Sequence, residues 1–143
     1  MKKAVFSLIL TLLVNFAGMY FGFYDFWWFD VILHFLGGFF VAMLMTHYLA
    51  DIVSPRTDPS ISFRADGSKS RTIKTYLVIV GAVSFIGVVW EFAEYLASLT
   101  LIESFYNNFG VKTSFIGDLD DTINDLLMDI VGALAWLTVF RRK

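Results

Sequence analysis

A chain of 143 residues that is 57% hydrophobic and 18% aromatic is too apolar for an ordinary water-soluble domain of its length, and its mean hydropathy of +0.67 agrees. The lack of cysteine excludes disulfides, thiolate metal ligands, haem attachment through thioethers and a lipoprotein anchor. A net charge of −2 is too nearly balanced to suggest a nucleic-acid partner.

The apolar residues fall into four blocks, at about 4–24, 27–50, 75–101 and 121–140. Each is close to the roughly 20 residues that a helix needs to cross a bilayer. The expected fold is all-α, a single four-helix transmembrane domain over 1–143, with membrane lipid as its surroundings. The first block, "MKKAVFSLILTLLVNFAG", resembles a secretory signal. Its apolar run continues past Ala17 to Tyr24, however, and Asn15-Phe16-Ala17 is a poor cleavage site, so it reads as an uncleaved helix. Gly18 and Gly22 form G-x-x-x-G, which permits close helix approach inside the bundle. "YDFWWFD" then predicts a tight turn, with Trp27 and Trp28 at headgroup level.

After the second block, the segment 51–74 holds both prolines, several serines and "ADG", the composition of a polar, turn-rich connector. It also carries Arg56, Arg64, Lys69, Arg71 and Lys74. With Lys2 and Lys3 at one end and Arg141, Arg142 and Lys143 at the other, only Lys112 among the eleven basic residues falls on the opposite side. The positive-inside rule then places both termini and the connector in the cytoplasm. The outer segment 102–120 contains "IESFYNNFGVKTSFIGD", aromatic and amphipathic, which suits either a surface-lying stretch or a lid.

The acids are distributed the other way. Asp30, Glu91, Glu94, Asp121, Asp125 and Asp129 lie within or at the ends of the expected spans, where an ionisable group costs roughly 2.5–3.5 kcal/mol at the helix centre. At about 1.5 Å per residue from the cytoplasmic helix ends, His34, Glu91 and Asp125 come at about 22–24 Å. Asp30, Glu94 and Asp121 come one turn further out, at about 28–30 Å, and Asp129 one turn below Asp125. Asp30 and His34 are spaced i,i+4, Glu91 and Glu94 i,i+3, and the three aspartates of the last helix step by four, so each set shares a face. Polar stripes on membrane helices turn inward, so the three should meet.

No Lys or Arg stands at this depth, and like charges this close cannot all stay ionised. Three readings follow. The acids share protons and tie the helices together, they bind a divalent cation, or they begin a proton or cation path. A path needs continuation, and the inner halves offer only Ser7, Thr11, Thr46, His47, Ser84 and Thr138. Carboxylates with one imidazole suit Mg, Mn, Ca, Fe or Zn rather than soft-metal chemistry. The candidate metal ligands are Asp30, His34, Glu91, Glu94, Asp121, Asp125 and Asp129. His47 reads as interfacial packing, and Trp90, Tyr95 and Asn124 flank the acids. Asp118 and Asp120 read as caps of the last helix, where its dipole favours anions. There is no G-x-S-x-G, phosphate loop or H-E-x-x-H.

Three stretches, "FDVILHFLGGFFVAML", "GVVWEFAEYL" and "DDTINDLLMDIVGALAWL", resemble in order the blocks of the YjdF-like and VanZ-like small membrane proteins. Asp30, His34, Glu91, Glu94, Asp121, Asp125, Asp129, Gly132 and Ala133 stand at matching positions, and Glu94 makes the YjdF-like likeness the nearer one. The resemblance implies a multi-pass inner (plasma) membrane protein and hints at cell-envelope work, since the VanZ-like name comes from glycopeptide resistance. It supplies no reaction.

Two functional readings remain. In one, a divalent metal near the outer leaflet assists hydrolysis or group transfer on a lipid or lipid-linked envelope substrate. His34, Glu91 and Asp125 are then inner ligands, Asp30, Glu94 and Asp121 complete the site or act as base, and Asp129 orients a ligand. In the other, the protein is not an enzyme, and its cluster holds the bundle or docks a partner. A ferritin-like di-iron site needs Glu-x-x-His pairs, and this chain has Glu-x-x-Glu and Asp-x-x-x-His.

Overall fold

Four helices are long and apolar enough to cross a bilayer. The computed structural model describes residues 1–50, 67–110 and 117–140, and contains no strand among them. The helices are α1 (Lys2–Phe21), α2 (Trp27–Tyr48), α3 (Gly67–Thr100) and α5 (Leu119–Phe140), with a short α4 (Ile102–Phe109) between the last two. Within α3 the apolar span is Thr72–Thr100. Most of the connector, with Arg56 and Arg64, lies outside the described residues, as do Lys112 and Arg141, Arg142 and Lys143.

The first helix ends three residues earlier than its apolar run. Gly22 takes a left-handed conformation, φ 72°, and its N–H donates to the Gly18 carbonyl. Glycine adopts this cap without the Cβ penalty of other residues. A 3₁₀ turn, Phe23–Asp25, then leads into α2. The two glycines of G-x-x-x-G therefore do different work. Gly22 stops the helix, while the Phe29 ring of α2 fills the space above Gly18.

The centre of the bundle is α2, which packs against α1, α3 and, most extensively, α5. Its buried residues Phe29, Leu33, His34, Gly38, Ala42 and Thr46 recur every four to five positions and form one stripe. Where α2, α3 and α5 meet, Ala42, Ile79, Val83, Ala133, Trp136 and Leu137 make a dry core. The Trp136 indole donates to Thr46 Oγ1 at 2.9 Å, and that hydroxyl donates onward to the Ala42 carbonyl. In lipid, such bonds replace those that water would give. Phe6, Leu13, Phe16, Leu77 and Phe85 face outward, as helices surrounded by acyl chains require.

Small residues set how close α2 and α5 come. A Cβ on Gly38 would run into the Asp129 carbonyl, and one on Gly132 into the Phe35 carbonyl. The two backbones are thus in direct contact, the geometry that small residues allow between membrane helices. α1, by contrast, packs on α2 and nowhere approaches α3 among the described residues. α4 packs only against α3 among the described residues, so that part of the outer segment does not cover the bundle. Gly132→Val should lower stability by about 1–3 kcal/mol through overpacking, seen as an earlier unfolding midpoint in detergent. Gly81→Ala should lose nothing, because a Cβ there meets no atom within 4 Å.

Candidate metal centre

α2 lays Asp30 and His34 one turn apart on its inner face, and α3 and α5 bring Glu91 and Asp125 against the same imidazole. His34 Nε2 is 3.7 Å from Asp30 Oδ1, 3.8 Å from Glu91 Oε1 and 3.9 Å from Asp125 Oδ2. On the ring's other side, Nδ1 is 3.6 Å from Asp129 Oδ2. Four carboxylates, one from α2, one from α3 and two from α5, thus surround a single imidazole. His34, Glu91 and Asp125 are only 6%, 7% and 3% exposed, which removes most of their contact with bulk water.

These approaches exceed hydrogen-bond length. Glu91 Oε1 and Asp125 Oδ1 are buried with no hydrogen-bond partner. Such a group normally costs about 1–3 kcal/mol, more when charged. The separations nevertheless match another arrangement. Ligand atoms at about 2.1–2.4 Å from a common ion lie about 3.0–3.9 Å apart, depending on the ion and the angle. Two sets bring one ligand atom per residue within 4.8 Å of one another: Asp30, His34 and Asp125, and His34, Glu91 and Glu94. Both share His34.

Glu94 is held by the Trp90 indole, which donates to its Oε1 at 2.9 Å. Asp129 sits in a cradle of glycines. A Cβ on Gly87 would meet its Oδ2, and one on Gly37 would lie 3.8 Å from its Oδ1. The carboxylate can occupy this narrow space between α2 and α3 because Gly87 lacks a side chain, while Gly37 leaves room for ordinary contact. Asp121 differs from the other six. It is exposed in the first turn of α5, where its N–H donates to Asp118 Oδ1 at 3.0 Å. Asp118 is therefore a helix cap, and Asp121 lies on the rim of the cluster rather than inside it.

Two cavities flank the cluster. One, about 130 Å³, is polar and is lined by Tyr24, Asp30, Glu91, Glu94, Asp121 and Asp125, among others. The other, about 260 Å³, is apolar and reaches His34 and Asp129 from the α1 side. Two residues here escaped the sequence reading. The Tyr24 hydroxyl is buried above the acids with no hydrogen-bond partner. Burial, with the Asp30, Glu94 and Asp125 carboxyls nearby, pushes its ionisation far above the usual phenol range. Asn15 is buried on α1 and lines the apolar cavity beside His34. Its signal was present as the one carboxamide in an otherwise apolar helix.

Below the cluster the polar side chains close on themselves. Thr11, Thr46 and Ser84 donate to the carbonyls four residues back, Thr138 to the one three back, and His47 Nδ1 lies 2.8 Å from the Met43 carbonyl. None of these bonds extends the acidic cluster toward the other end of the bundle.

No curated protein and no solved structure matches the chain. Over residues 2–143 it matches the family described as "Predicted membrane protein (DUF2238)", and the protein belongs to that family.

Proposed function

We propose that this membrane protein binds a divalent cation at the end of the bundle remote from its termini, and uses it on a lipid or lipid-linked substrate. His34 Nε2, Glu91 and Asp125 are the inner ligands, with Asp30 and Glu94 completing the shell. The observation that carries this reading is the convergence of Asp30 Oδ1, Glu91 Oε1 and Asp125 Oδ2 on one imidazole nitrogen, with Glu91 Oε1 and the other Asp125 oxygen, Oδ1, buried and without a hydrogen-bond partner. A cation would satisfy all of them at once. A hydrogen-bonded acid cluster would instead draw these groups to contact distance.

Asp129 takes the part of the carboxylate that orients a metal-binding histidine from behind. A bound cation would supply Lewis acidity and an activated water. The chain's own residues add Glu94, positioned by Trp90, and exposed Asp121 as proton acceptors at the polar cavity. The likeness to VanZ-like proteins favours an envelope lipid over a soluble substrate.

Metal analysis of detergent-purified protein tests the centre, comparing wild type with the double variant Glu91→Gln, Asp125→Asn. Stoichiometric metal in the wild type that is lost in a variant of unchanged helicity is the expected result. A metal-free wild type whose double variant misfolds would assign the cluster to structure instead. A second outcome follows from the glycine cradle. Asp129→Asn should weaken cation affinity about 10–100-fold without changing the number of ions bound at saturation. Asp121→Asn should leave affinity nearly unaltered, because its carboxylate is exposed. Titration of the stripped protein with Zn²⁺, Mn²⁺ and Ca²⁺ separately reads both.

A further inference from the structure

The apolar cavity beside His34 is a slot, and we infer that it holds one acyl chain of a membrane lipid whose head group reaches the acidic centre. Its walls run from Leu8 to Asn15 on α1, from Val41 to Leu33 on α2 and from Val83 to Trp90 on α3. The stretches cover eight, nine and eight residues in the same direction, about 10–12 Å parallel to the helix axes. The slot is therefore elongated along the membrane normal, the direction in which acyl chains lie. Its polarity is graded along that length. Leu8, Val41 and Val83 line the end nearer the termini, Asp129 lines the slot at mid-length beside Gly37 and Gly87, and Asn15, His34 and Trp90 stand at the end nearer the other carboxylates. Thr11 adds little polarity, because its hydroxyl is engaged by the Ser7 carbonyl.

The size selects the occupant. An apolar cavity of about 150 Å³ takes up a benzene molecule, so 260 Å³ suits a chain segment of roughly eight to ten carbons. A transmembrane helix, about 10–12 Å across with its side chains, needs far more room than this. The side by which a chain would enter lies between α1 and α3. Their Cα atoms nowhere come within 8 Å of one another among the described residues, so that only side chains of the two helices wall it. A lipid of the leaflet at the cluster end, with its chain pointing toward the termini, then has its ester and head group beside His34 and Trp90. This names the substrate class of the proposed centre, and it rests on the metal reading only for what happens to the head group.

The test uses the full chain in phosphatidylcholine vesicles containing a phosphatidylcholine with a mid-chain diazirine. After irradiation, lipid adducts are mapped by peptide mass spectrometry, and bound metal is measured on the same preparation. Adducts should concentrate on Leu8, Leu12, Val41 and Ile86, well above the outward-facing Leu13 and Phe85. Leu12→Trp should displace the chain. The transfer free energy of only two chain methylenes corresponds to about a tenfold change in occupancy, so slot adducts should fall about tenfold with metal content unchanged. Ile86→Trp, on the opposite wall, carries the same test should Leu12→Trp fail to fold. Equal labelling of slot and outward positions would overturn the inference. So would slot labelling that both tryptophan variants leave intact, or a slot shielded from lipid by a second copy of the chain. Slot labelling that persists in metal-free protein would count against the metal centre alone and leave the lipid slot standing.

Discussion

Everything near the polar end of this bundle follows from placing four carboxylates around one imidazole in a setting largely withdrawn from bulk water. No lysine or arginine occurs between residues 4 and 55, 75 and 111, or 113 and 140, and among the described residues His34 is the only basic side chain within the cluster. Even as imidazolium it would offset one negative charge among Asp30, Glu91, Asp125 and Asp129. Removing an uncompensated charge from water is far more costly than any packing term in a domain of this size. The cluster must therefore take up protons or a cation. The surrounding structure then reads as what is needed to hold the groups at a fixed separation: backbone contact between α2 and α5 at Gly38 and Gly132, the glycine cradle of Asp129, and the Trp90 bond to Glu94.

Much of this was legible in the sequence because a bilayer imposes a length. Apolar runs near 20 residues marked four helices, and a rise of about 1.5 Å per residue assigned depths to the acids on each. The spacing of Asp30 with His34, and of Asp125 with Asp129, indicated a shared face. What spacing does not encode is which helices touch. The gap between α1 and α3 depends on how α1 leans, and this is set by the early stop at Gly22 and the Phe29 ring over Gly18. The apolar slot, with Asn15 in its wall, was therefore invisible. Asp121 was harder to read for another reason. Its periodicity matches Asp125, but the Asp118 cap places it in the first turn of α5, where a side chain on the inward stripe still meets solvent.

The two cavities give the centre a direction. The polar one opens on the carboxylates, and the apolar one reaches the same imidazole through the membrane-embedded side. A transporter would need polar groups continuing toward the opposite end of the bundle. Here Thr11, Thr46, Ser84 and Thr138 spend their hydroxyls on their own helices' carbonyls, as hydroxyls in membrane helices do when they have no other task. Among the described residues the site is polar on one side, apolar on the other and without polar continuation below.

The tautomer of His34 sharpens the choice between proton and cation. In the neutral tautomer that carries its proton on Nδ1, the nitrogen 3.6 Å from Asp129, the Nε2 lone pair faces Asp30, Glu91 and Asp125 at 3.7–3.9 Å. Imidazole nitrogen and ionised carboxylates are then all acceptors, and acceptors pointed at one another repel unless something positive stands between them. Protons would solve this pairwise, drawing two oxygens, or an oxygen and the nitrogen, together to about 2.5–3.0 Å. The groups instead stay nearly equidistant from Nε2, with one oxygen each of Glu91 and Asp125 left unpartnered. Near-equal spacing around Nε2 calls for positive charge at that point, which an imidazolium N–H or a cation held between the ligands would each supply.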